Sequence, residues 1–229
     1  TELKDLLSEL EAASGRDLKE WSELWLETAG VNTLRPELEA DDDGVITSFA
    51  VLQSAVAEYP TLRPHRLAIG FYDSGEDGKL HRTHRVELDV DGERTEVPEL
   101  VGRRRPDLLL LNDDDLAYAK IRLDPESEDT AVRRLRDIAE SLPRTLVWAS
   151  AWDAARDGET PARSYVELVL KNIGSESDSS VVQVLLRQLA TTLAFYVAPK
   201  DREAMMAAAA DSLWELAAAA APGSDSQLQ

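Results

Sequence analysis

The feature that most constrains this chain is a change of hydrophobic period near Asp124-Pro125. Before that point apolar residues recur at every second position, and after it at every third or fourth. A single continuous barrel and an all-helical fold are both incompatible with such a switch. It implies an α+β chain in which a β-rich part and a helical part each have an apolar face to bury. With 229 residues there is length for one or two domains and a proper core.

Residues 31–125 read as a β-sandwich of about seven short strands divided by turns. Val45 to Leu52 is apolar at both parities, as expected of a strand covered on two faces. Leu67, Ile69 and Phe71 alternate with smaller or polar residues. Asp91-Gly92 predicts a two-residue hairpin turn that pairs Val90 with Glu93 and Val86 with Val97. Ala117, Ala119, Ile121 and Leu123 predict a further strand, with Tyr118, Lys120 and Arg122 on its other side. Pro36, Pro60, Pro64, Pro98 and Pro106 are expected at edges or in turns.

Residues 1–30 read as two helices. Leu3, Leu6, Leu7 and Leu10 form the stripe of the first, which Ser14-Gly15 ends. In the second, Asp17 is the expected N-cap, with Glu20 closing a capping box. Leu18, Trp21, Trp25 and Thr28 follow on one face, and Gly30 is the expected stop. Residues 126–229 predict an antiparallel, solenoid-like array. Its helices are marked by Val132 to Leu142, Pro143 to Asp157, Thr160-Pro161 to Gly174, Asp178 to Val197 and Asp201 to Ala221. Pro199 and Pro222-Gly223 stop the last two.

Charge and composition exclude several functions. A net charge of −19 repels phosphate backbones and anionic lipid, so neither nucleic acid nor a membrane surface is an expected partner. There is no cysteine, hence no disulfide, thiol nucleophile or zinc-thiolate site, which fits a cytoplasmic protein. His81 and His84 form H-x-x-H, but strict strand alternation would send them to opposite faces. His65, between Pro64 and Arg66, reads as a loop residue. Asp41-Asp42-Asp43-Gly44 and Asn112-Asp113-Asp114-Asp115 are rich in oxygen ligands without the full calcium-loop pattern, and read as solvated turns. Arg103, Arg104 and Arg105 are expected to pair with the chain's own carboxylates. Ser175 to Asp178 reads as a helix start, since no histidine in the helical region could complete a triad. The alanine runs at 207–210 and 217–221 reflect helix propensity.

Several long stretches resemble one known family in order along the chain. They are WSELWLETAGVNTLRPEL (21–38), EYPTLRPHRLAIGFYD (58–73), THRVELDVDGERTEVPEL (83–100), RPDLLLLNDDDLAYAKIRLD (105–124) and SLPRTLVWASAWDAARDGETPARSYVELVLKNIGSESD (141–178). The chain resembles zinc aminopeptidases of the aminopeptidase N and puromycin-sensitive type, in their actinobacterial branch. That resemblance implies a parent hydrolase that removes N-terminal residues from peptides with a zinc-bound water and a glutamate base. The family's H-E-x-x-H and G-x-M-E-N motifs occur nowhere in these 229 residues. No catalytic residue and no metal ligand are therefore assigned here, the substrate-binding residues stay unassigned, and zinc is expected in the parent alone.

The resemblance divides the chain into the last helices of a catalytic domain (1–30), a β-sandwich (31–125) and the first helices of a C-terminal domain (126–229). The start at Thr1 and the polar end SDSQLQ are expected of a fragment. On this reading the segment helps enclose a substrate chamber, and its partners are the catalytic domain of the same polypeptide and the parent's peptide substrates. The alternative is a free-standing adaptor, whose sandwich, helices and tryptophan face bind another protein.

Overall fold

The computed structural model describes residues 2–221 and 223. The order is α1 (Leu3–Ser14), α2 (Lys19–Leu26), β1 (Thr33–Ala40), β2 (Ile46–Ser54), β3 (His65–Ser74), β4 (Leu80–Val90), β5 (Arg94–Glu96), β6 (Leu108–Leu111) and β7 (Lys120–Ile121). Five helices follow: α3 (Pro125–Arg134), α4 (Ser141–Arg156), α5 (Ala162–Asn172), α6 (Ser179–Thr191) and α7 (Pro199–Ala219). The α+β class, with short helices, two sheets and a helical array, is as the periodicity predicted.

Three layers result. One sheet has the order β5-β2-β1-β7 and the other β4-β3-β6. Between them lie Leu34, Phe49, Val51, Leu67, Ile69, Phe71, Leu109 and Leu111. The second sheet is covered on its outer side too, where Tyr72, Leu108 and Leu110 pack with Ala131, Leu135, Val147 and Val169 of the helical layer. A strand buried on both faces needs no polar alternation, which explains four consecutive buried leucines in β6.

The Asp91-Gly92 turn does not close a hairpin. β4 pairs with β3 along its length, and β5 pairs with β2, so the turn carries the chain from one sheet to the other. Gln53 draws it across: its backbone N–H donates to the Glu93 carbonyl and its side-chain amide to the Gly92 carbonyl. The hairpin is instead β3–β4. Pro36 lies inside β1, yet β7 pairs only with Thr33 and Leu34, so Pro36 faces an open edge on that side. The strand expected over 117–123 shrinks to Lys120–Ile121, because Asn112 holds Ala117 in a loop through two hydrogen bonds.

Helix boundaries differ from the expectations in several places. The N-cap of α2 is Leu18 rather than Asp17, whose carboxylate accepts from the Lys19 N–H, and Glu20 closes no capping box. α2 ends at Leu26, short of Gly30, where the chain turns into β1. The helix expected through Leu142 breaks after Arg134 into a 3-10 turn, and Pro143 lies in the first turn of α4, where its missing N–H costs nothing. Pro199 likewise opens α7 as well as ending its predecessor, which finishes in a π turn at Thr192–Tyr196. Gly15 is left-handed, as the end of α1 required. Pro222 and the tail after Gly223 lie outside the described residues, as does Thr1.

Candidate functional site

The histidines are dispersed. A bulge shifts the β3–β4 register at Phe71/Tyr72, where Thr83 goes unpaired, so His81 stands opposite Asp73 and His84 opposite Phe71. The extra residue cancels the alternation argument, and it is their partners that separate them. His81 Nε2 lies 2.9 Å from Asp77, whereas His84 meets the Phe71 ring edge-on at 5.7 Å. His65 is buried at the start of β3, with Nε2 3.3 Å from Asn32 Oδ1.

The acidic runs are likewise engaged. Asp41 accepts from the backbone N–H groups of Asp43 and Val45, which makes 41–44 a self-closed turn between β1 and β2. Asp113 is buried, accepting from the Tyr72 hydroxyl at 2.5 Å and from Arg82 at 2.8 Å. Asp114 bonds Arg82 and Arg85. Burial, then the bond to Asp113, pushes the Tyr72 phenol far above its ordinary range. Oxygens already facing two guanidinium groups are unsuited to calcium. Of the arginine run, Arg105 pairs with Asp124 and Glu126, while Arg103 donates to the Glu99 carbonyl. Asp178, ending the serine-rich stretch, caps α6 by accepting from Ser180 and Val181.

What sequence reasoning missed is a belt of ion pairs between the sheets and the helices. Arg122, buried in the loop after β7, donates to Asp157 at 2.7 Å and to Glu159 at 2.9 Å; Lys120 and Arg35 join from the sheet side. Arg134 of α3 donates to Ser74 Oγ and to the Gly78 carbonyl in the β3–β4 turn. Asp124 caps α3, takes Arg105 and binds Ser127 Oγ, while the same hydroxyl accepts from the Leu109 N–H. Only the alternation of Arg122 with Ile121 and Leu123 hinted at any of this.

Apolar surface is open in several places among the described residues, two of them on helices. Trp21 of α2 is 40% exposed, although Trp25 lies against the sheet. Between α6 and α7 runs a groove of about 700 Å³, lined by Val182, Leu186, Leu213, Trp214 and Ala217. Gly174 stands at its end, where a Cβ would come within 2.6 Å of Leu216.

A family model described as the ERAP1-like C-terminal domain matches residues 108–229, more than half the chain. The chain belongs to that family. The ERAP1-like match starts at β6 rather than at α3, in keeping with Leu108 and Leu110 being part of the helical core. Aminopeptidase N of Streptomyces lividans is 57% identical over 234 positions, covering 100% of this chain and 27% of that protein. The resemblance read from the residues is thus found along the whole chain, which spans about a quarter of that relative's length. A crystal structure of Legionella pneumophila aminopeptidase A in complex with aspartic acid is 15% identical with a TM-score of 0.42, over 97% of this chain and 28% of that one.

Proposed function

We propose that this chain is the non-catalytic part of a zinc aminopeptidase that removes N-terminal residues from peptides, and that its sandwich and helices support and enclose the substrate chamber. The observation that carries this reading is the 57% identity to aminopeptidase N, which extends over the whole chain. Residues 1–30 then close a catalytic domain, 31–125 form a spacer sandwich, and 126–229 open the helical wall. The catalytic domain is the partner in the same polypeptide, and peptides are the parent's substrates. The lack of cysteine supports a parent that works in the cytoplasm, and a net charge of −19 one that keeps away from nucleic acid and anionic membranes. No helix among the described residues is long and apolar enough to cross a membrane.

The zinc belongs to the parent in this reading. Here the donor set does not fit it: each histidine ring has a different neighbour, and among the described residues no three His, Cys, Asp or Glu side chains converge on one point.

The test compares the 229-residue chain with a longer polypeptide read from the same frame. The longer protein should contain H-E-x-x-H, hold zinc after dialysis and release product from an alanyl or lysyl chromogenic amide. The chain alone should do neither. Removing 126–229 from the longer protein should raise KM for peptides more than for the small amide. Turnover by the isolated chain, or a longer frame lacking the motif, overturns the reading. Trp214 and Phe195, each 75% exposed, favour the adaptor alternative, and a native start codon just before Thr1 would decide for it.

A further inference from the structure

α1 buries no residue and α2 buries only Ser22, so apolar burial alone does not fix this helical pair to the sandwich. The attachment runs through Arg63, in the loop before β3, which is only 3% exposed. Its Nε donates to the Leu24 carbonyl at 2.8 Å and its Nη1 to the Gly30 carbonyl at 3.1 Å. Its Nη2 donates to Thr28 Oγ1 at 2.6 Å and to the Ala29 carbonyl at 3.0 Å. All four acceptors lie within residues 24–30, on one short stretch of chain.

The chemistry of this grip is unusual for a buried guanidinium, because among the described residues no carboxylate is its partner. The charge rests on dipoles instead. The Leu24 carbonyl is among the last four of α2, which lack intrahelical donors and form the negative end of the helix. The Trp25 ring adds its face, with its centroid 5.5 Å from the guanidinium carbon. Behind Arg63 the loop is itself anchored. Its backbone N–H donates to Asn32 Oδ1 at 3.2 Å, and the Asn32 amide donates to the Thr61 carbonyl at 2.7 Å. His65 closes the set by meeting Trp25 edge-on at 5.3 Å.

We infer that Arg63 is a latch that holds α2 on the sandwich, and that releasing it makes residues 27–31 a hinge on which α1 and α2 swing. Residues 26–30 are exposed, so water can take over their carbonyls once the guanidinium leaves. Opening therefore leaves few stranded acceptors on the helix side, and nothing in the sandwich core has to move. This device is independent of any peptidase role.

Hydrogen exchange on the 229-residue chain tests it. In Arg63→Ala, amides 22–32 should exchange at least tenfold faster, while those of β3 and β6 keep their wild-type protection. Arg63→Lys, which keeps the charge but loses the fork, should fall between. The latch is overturned if 22–32 stay as protected as in wild type, or if β3 and β6 lose protection to the same degree. Should Arg63→Ala fail to fold, Thr28→Val carries the test, since it removes one acceptor on the helix side alone. Faster exchange confined to 22–32 supports the latch, and unchanged exchange overturns it.

Discussion

Gly70 shows how little room the middle of β3 leaves. A Cβ there would come within 2.3 Å of Asp113 Oδ2 and 3.0 Å of the Tyr72 ring. Gly70→Ala should therefore push Asp113 off Arg82 and Tyr72 and destabilise the fold by about 1–3 kcal/mol, measured by urea unfolding. His65 gives a second residue-scale expectation. Burial, then the Arg63 charge, lowers its pKa from 6.5 to about 4. Between those values the unfolded chain binds a proton that the folded chain refuses, so stability falls as pH drops from 6.5 towards 4 and levels off below. The loss by pH 4.5 should be about 2–3 kcal/mol, and His65→Gln should abolish that part of the pH dependence. None of these pairings was legible locally. The carboxylates of 113–114 meet arginines some thirty positions earlier in the chain, and a local motif carries no information about such a partner.

Elements were legible where their cause is local. Asp178 caps α6 through its own next residues, so the helix start could be read directly; Asp178→Ala should cost about 1 kcal/mol, seen as a lower thermal midpoint with unchanged activity of any fused parent. The end of α1 at Gly15 was readable for the same reason. The turn at Asp91-Gly92 was readable as a reversal, but its residues do not say which strand receives the chain. That choice fell to Gln53 and to the ten positions of β3 that pair with β4. The break between α3 and α4 was hidden because Val132, Leu135 and Ile138 keep helical spacing across it, although Ile138 forms a bridge with Leu80 of β4.

At the scale of the molecule, the sheets and the helices share a core and a belt of ion pairs. Arg122→Ala would strip Asp157 and Glu159 of their buried partner but leave them Lys120, Arg35 and water, and should destabilise by about 1–3 kcal/mol in denaturant, with both parts unfolding together. For the same reason limited proteolysis should spare 124–130, where the hydrophobic period changes, and cut first at 27–31. The switch of period located the start of the helices correctly. It could not show that the outer face of the second sheet belongs to them, because a strand buried on both faces has no period to read.

The parallel pairing of β7 with β1 sets an order of events during synthesis. Lys120 must emerge before Thr33 gains its neighbour, so the first sheet is complete only late. The second sheet waits longer, since the apolar cluster that holds Leu108 and Leu110 extends to Ala209. At about 5–20 residues per second, the roughly 100 residues between them take some 5–20 seconds to appear. Throughout that interval the nascent chain carries a naked leucine surface. A polypeptide released at residue 124 should aggregate, and one released at 221 should not.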